Sequence, residues 1–148
     1  MNAAVETKYS ARQDWATQAV AQQRAFFESG ATRSYEFRIA QLKQLKAAML
    51  KYRDDIEAAL KIDIGRPPLE AYIELNTAMD DLNHAIKHLR KWMRPKRVST
   101  SLWAQPGTSR IEYTPLGVTF IMGPYNYPFL LCIQPMIGAL AAGNTVIM

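Results

Sequence analysis

The sequence predicts an α/β fold, with N-terminal helices and a hairpin leading into a βαβ unit that begins a parallel sheet. Three observations carry this. From Tyr113 to Met148 there is no Asp, Glu, Lys or Arg, whereas the residues before it are rich in charge. That charge-free stretch is punctuated by Pro115, Gly117, Gly123, Pro124, Pro128, Pro135, Gly138 and Gly143, so its apolar pieces fall far short of the ~20 residues a membrane-spanning helix needs. Upstream, apolar residues recur at helical spacing in successive segments.

Taken in order, residues 1–14 read as a small, polar, mobile tail, and 15–97 as a helical part. Trp15 to Glu28 is predicted as a first helix, stopped by Ser29-Gly30. A second places Ile39, Leu42, Leu45 and Met49 on one face and Arg38, Lys43 and Lys46 on the other. Asp54 and Asp55 favour the first turn of a third helix, which runs through Ile56 and Leu60 to Gly65. The fourth begins after Pro67-Pro68, carries a stripe of Leu75, Met79, Leu82, Ile86, Leu89 and Met93, and is closed by Pro95. The stripe is heptad-like for only about three heptads, which suits a packed helix better than a free coiled coil.

Residues 98–114 read as a hairpin, with Leu102-Trp-Ala and Arg110-Ile-Glu-Tyr-Thr114 as strands about a Pro106-Gly107 turn. Its edges would either pair with another chain or lie as a simple surface hairpin. In residues 115–148, Val118-Thr-Phe-Ile-Met122 suits a strand buried on both faces of a parallel sheet. Gly123 to Pro128 is a turn cluster, with Pro128 fit for the first position of a helix. Phe129 to Ala142 is apolar on every side and is expected to be wrapped by protein. Gly143-Asn144 caps it, and Thr145 to Met148 begins the second strand.

A chain of 148 residues, 49% of them hydrophobic, is long enough for one globular core. The net charge of +5 permits an acidic partner without demanding one. The single cysteine, Cys132, excludes an internal disulfide, and the N-terminus with Glu6, Lys8, Arg12 and Asp14 lacks a signal peptide's apolar region. The expectation is a cytoplasmic protein with no membrane partner. The basic run from His84 to Arg97 is read as a solvated helix end favoured by the helix dipole, and no nucleic-acid partner is expected because no nucleic-acid fold motif accompanies it.

Several residue patterns touch on chemistry. Gly138-Ala-Leu-Ala-Ala-Gly143-Asn144-Thr145 approaches a phosphate-binding loop, but Asn144 stands where the lysine belongs and the order is helix then strand. No G-x-G-x-x-G occurs. Cys132 lies in an apolar helix without a nearby His, as a small buried hydrophobe would. His84 and His88 lack a third metal ligand, so no metal is expected. Asn126 lies just beyond the C-terminal end of a parallel strand, where open α/β sheets bind ligands. Its amide would serve either as a donor to a developing oxyanion or as a turn asparagine satisfying its own backbone.

Pro115-Leu-Gly-Val, Gly-Pro-Tyr-Asn-Tyr-Pro and Ile137-Gly-Ala-Leu-Ala-Ala-Gly-Asn-Thr-Val together closely resemble the aldehyde dehydrogenase superfamily, nearest its class 3, fatty-aldehyde and coniferyl-aldehyde branch. The resemblance extends back through residues 87–97 and 105–107, and more weakly to Phe26. Tyr125 departs from the family's usual Trp.

The resemblance implies a Rossmann-like dinucleotide-binding core, of which 115–148 would be the start, and an NAD- or NADP-dependent oxidation of an aldehyde substrate to a carboxylic acid. It implies that Asn126 holds the oxyanion, that Met122, Gly123, Pro124 and Tyr125 line the cofactor cleft, and that Tyr127, Leu131 and Gln134 line the substrate tunnel. It makes the hairpin an oligomerisation arm, with a homo-oligomer expected of the full-length protein. The family's cysteine nucleophile and glutamate base would lie beyond residue 148. The chain is therefore expected to be the N-terminal part of a longer enzyme, with an incomplete sheet, inactive and poorly folded alone. The alternatives are a non-catalytic interaction module pairing through 102–114 and a membrane-attached peptide using Phe129 to Ala142.

Overall fold

A computed structural model describes the backbone of residues 3–148 and the side chains of residues 14–148. Five helices, α1 (Ala3–Glu28), α2 (Tyr35–Lys51), α3 (Arg53–Ile64), α4 (Pro68–Trp92) and α5 (Leu130–Ala142), combine with two strand pairs. The first pair is antiparallel, β1 (Lys96–Val98) with β2 (Ser109–Ile111). The second is parallel, β3 (Val118–Phe120) with β4 (Thr145–Ile147), joined through α5 as a βαβ unit with Val118 opposite Thr145 and Phe120 opposite Ile147.

The helix ends follow local chemistry. Ser34 caps α2, its Oγ accepting from the Phe37 N–H at 3.1 Å. Gly65 ends α3 at φ 66°, a left-handed conformation that an L side chain resists. Pro68 occupies the first turn of α4, where its missing N–H costs nothing. Gly143 ends α5 at φ 88°, and the following Asn144 N–H donates to the Ala139 carbonyl at 2.9 Å.

The main core lies where α4 packs against both α2 and α5. Leu42, Leu82 and Leu89 are fully buried there, each stabilising by about 2 kcal/mol relative to exposure. A smaller cluster of Leu60, Ala71 and Leu75 joins α3 to α4, and Phe129 packs against both clusters. Helix α1 lies against β3 and β4.

Several expectations are corrected. The first helix begins at Ala3, so the segment expected as a tail is helical up to Asp14, with Met1 and Asn2 outside the described residues. Arg38 is buried rather than on the solvated face of α2. The inward stripe of α4 is Ala71, Leu75, Ala78, Leu82, Ala85 and Leu89, while Met79, Ile86 and Met93 are only half-buried. The alanines let α2 and α5 approach closely, and the larger side chains fill the flanks.

In the hairpin, Leu102–Ala104 is a turn of 3₁₀ helix, and the strand facing β2 is Lys96–Val98. Helix α5 starts at Leu130 rather than Pro128 and runs through Pro135. Its outer residues Pro135, Gly138 and Ala142 are exposed, so protein covers it on one side only. Strand β3 is not buried on both faces either. Ile121 is buried, but Phe120 is 68% and Met122 83% exposed, because a two-stranded pair covers little of its own surface.

Candidate functional site

The turn from Met122 to Phe129 follows the C-terminal end of β3 and feeds α5. Its entry is fixed by packing. Any side chain at Gly123 would collide with the Cys132 sulfur on the first turn of α5, so this glycine lets the turn fold back onto the helix. Pro124 and Pro128 fix φ and remove N–H groups that the turn would otherwise have to satisfy. Within it Tyr125 is 88% exposed, and Asn126 is exposed. The Asn126 side-chain amide makes no hydrogen bond among the described residues, so it is not engaged with its own backbone as a turn asparagine would be.

Two buried charges hold this turn. Glu74, on the inward face of α4, has a fully buried side chain whose Oε1 accepts from the N–H groups of Phe129 at 3.1 Å and Leu130 at 3.0 Å. A carboxylate on the free N–H groups of a helix start is favoured by hydrogen bonding and by the helix dipole. Arg66, in the α3–α4 loop, has a side chain only 10% exposed, with Nε 3.5 Å from Glu74 Oε2. Its Nη2 donates to the Asn126 carbonyl, its Nη1 donates to Glu70 Oε2 at 3.0 Å, and its guanidinium stands 4.5 Å from the centre of the Tyr127 ring. Burying either charge alone would be costly; together they compensate one another.

The positions named from the sequence therefore fall into two groups. Met122, Gly123, Pro124, Tyr125, Asn126 and Tyr127 form one continuous turn, mostly exposed. Leu131 and Gln134 lie on the first turns of α5, half-buried, and Gln134 Nε2 donates to the Asp81 carboxylate on α4. Arg66 and Glu74 were not singled out by sequence reasoning. The available signal was a glutamate in register with the alanine stripe of α4, three residues after Ala71 and four before Ala78.

The other patterns carry structure. Asn144 Oδ1 accepts from the N–H groups of Leu116 at 2.8 Å and Gly117 at 2.9 Å, anchoring the start of β3. Arg38 donates from Nε to the Thr32 carbonyl at 2.9 Å and from Nη1 to the Ala141 carbonyl at 3.3 Å, and burial pulls its pKa below the ordinary arginine value. The His84 and His88 rings lie 4.3 Å apart at a 46° tilt, and His88 stacks on Trp92 at 6.0 Å. The packing around the His88 ring, with His84, Lys87 and Lys91 nearby, lowers its pKa. No group of three or more metal-ligating side chains occurs among the described residues, and no helix among them is long and apolar enough to cross a membrane. Two surface hollows of about 570 and 610 Å³ flank Arg38, Met93 and Tyr113, where the hairpin leaves the helices, and Asn126 lines neither.

Comparison with known proteins gives a consistent result. The sequence profile of the aldehyde dehydrogenase family matches residues 2–148. Aldehyde dehydrogenase family 3 member H1 of Arabidopsis thaliana is 40% identical over 134 residues, 90% of this chain and 28% of that protein. The dimeric NADP-preferring aldehyde dehydrogenase of Canis lupus familiaris is 37% identical over 132 residues, 88% of this chain and 29% of that protein. The substrate-bound structure of Staphylococcus aureus AldH superposes with a TM-score of 0.85 at 39% identity, covering 88% of this chain and 29% of that one. The chain belongs to the aldehyde dehydrogenase family. It spans less than a third of the length of these relatives, and its βαβ unit is part of their Rossmann-type architecture.

Proposed function

We propose that these residues supply the oxyanion and part of the cofactor side of an NAD(P)-dependent oxidation of aldehydes to carboxylic acids. The observation that carries this reading is the Asn126 turn: an exposed, uncommitted amide beyond the end of a parallel strand, on a backbone held by buried charges. When a nucleophile adds to an aldehyde, negative charge develops on the carbonyl oxygen. A fixed amide N–H directed at that oxygen stabilises the charge more than it stabilises the neutral substrate.

The cofactor reading rests on the exposed strip formed by Met122, Gly123, Pro124 and Tyr125. An apolar thioether and an aromatic face, with no charged residue among them, fit the flat nicotinamide ring. A nicotinamide held there would supply the hydride acceptor for the substrate carbon. The NADP preference named for the canine relative makes either dinucleotide a candidate. Tyr127, Leu131 and Gln134 would contact the aldehyde, and the hairpin would join copies of the protein; the canine relative is named as dimeric. The lone cysteine, incapable of an internal disulfide, suits the cytoplasm.

Cys132 is a poor nucleophile candidate: its sulfur is packed against Gly123, and no histidine is near it in sequence. The nucleophilic cysteine and the glutamate that activates water would be supplied from outside residues 1–148, so these residues alone are expected to produce no NADH. In a catalytically competent polypeptide containing them, Asn126→Ala should lower kcat by about a hundredfold or more, with a smaller effect on aldehyde KM. An unchanged kcat would dispose of the oxyanion role.

One observation favours a second reading, a non-catalytic module pairing through the hairpin. Leu102 is 87% and Trp103 99% exposed at its tip. Light scattering on the 148-residue chain, with and without residues 99–108, separates the two readings of the hairpin. A mass that drops to monomer on deletion supports pairing, and an unaltered mass rejects it.

A further inference from the structure

We propose that Arg66 and Glu74 are positioning residues for Asn126, fixing the backbone on both sides of its side chain so that the amide is presented in one place. The inference rests on the reading of Asn126 as an oxyanion donor and adds the means by which an exposed turn could hold that donor still.

Four contacts carry it. The Arg66 guanidinium donates to the Asn126 carbonyl, which fixes the peptide plane leaving that residue. The same guanidinium lies 4.5 Å from the centre of the Tyr127 ring, a cation–π contact on the next residue. Glu74 then accepts from Phe129 at 3.1 Å and Leu130 at 3.0 Å, where the chain turns into α5. Between these fixed points stands Pro128, with little torsional freedom.

The two charges also depend on each other. Arg66 Nε and Glu74 Oε2 face each other at 3.5 Å as an ion pair, and neither atom makes a hydrogen bond among the described residues. Loss of Arg66 leaves the buried Glu74 carboxylate without its counter-charge, whereas Arg66 keeps Glu70 if Glu74 is lost; either loss releases one side of the turn. The Asn126 side chain itself has no partner among the described residues, so its direction follows from the backbone that these residues hold. A displacement of about 1 Å in such a group can cost two orders of magnitude in rate.

A merely structural role is separable from positioning by coupling. In a catalytically competent polypeptide containing these residues, Arg66→Met should lower kcat about tenfold with aldehyde KM within about twofold. Arg66→Lys, which keeps charge without the planar fork, should recover part of that loss. In an Asn126→Ala background, Arg66→Met should cost little more. An equal further loss there, or no loss in the parent, overturns the proposal.

If Asn126→Ala itself leaves kcat unchanged, the oxyanion reading has failed, and positioning is judged by amide exchange in that same polypeptide. There Glu74→Met, which removes the acceptor oxygen, should speed amide hydrogen exchange at Phe129 and Leu130 by about tenfold or more while exchange in α2 stays unchanged. Unaltered exchange at those two amides overturns the positioning role; uniform acceleration throughout assigns Glu74 to general stability and overturns it equally.

Discussion

The two ends of α5 are held by buried charges of opposite sign, and they do different work. At the N-terminus the Glu74 carboxylate accepts from the first N–H groups of the helix. At the C-terminus Arg38, a residue 6% exposed, donates from its guanidinium to the Ala141 carbonyl and to the Thr32 carbonyl. Both match the polarity of the helix dipole. Glu74, however, faces a second charge in Arg66, and through it the N-terminal anchor extends to an exposed turn. Arg38 meets main-chain carbonyls and the glycine that ends the helix. The same electrostatics secures the exposed Asn126 turn at one end and the path of the chain into β4 at the other.

That contrast can be broken at its C-terminal end, where effects should appear as global stability. The largest is expected for Gly143→Val. The residue sits at φ 88°, and a Cβ would lie 2.5 Å from Arg38 Cζ. Strain and overpacking together should cost about 3 kcal/mol or more, read by urea unfolding. Arg38→Met should cost about 2 kcal/mol, because the carbonyls it serves are left unpaired in the interior. Gly143→Ala should cost less in that Arg38→Met background than in the parent, since the flexible thioether yields where the guanidinium does not. Fully additive costs would show that Gly143 is needed for its φ alone.

The smallest effect is expected for Asn144→Ala, which removes the acceptor for Leu116 and Gly117. A loss of about 1 kcal/mol should appear as a lower Tm. None of these substitutions should accelerate exchange at Phe129 or Leu130 selectively. If one does, the two ends of α5 are coupled and the division between them is lost.

What the sequence made legible was the local punctuation. Gly30, Gly65 and Gly143 end helices at the places where the chain needs a left-handed residue, and the parallel pair follows from the turn cluster between apolar runs. The turn holding Asn126 was visible as a motif. Its supports were not, because Arg66 and Glu74 lie 60 and 55 residues from the groups they hold, and no periodicity encodes that distance.

Arg38 was misplaced for a related reason. Charge patterning assigns an arginine to solvent, whereas this one meets carbonyls presented by other parts of the fold. The hairpin was misread because Leu102-Trp-Ala has strand composition, but Lys96–Val98 has the register that faces β2. Alanine was undervalued on α4: hydropathy favours the large residues, while close helix packing selects the small ones.

The hairpin tip has a practical consequence. Trp103, at 99% exposure, stands in bulk water, while Trp15 and Trp92 are 67% and 44% exposed. The indole at the tip is thus a built-in optical probe. Anything that covers it would shift its emission to shorter wavelength and shield it from iodide, so association through this arm would report itself in the chain's own fluorescence without a label.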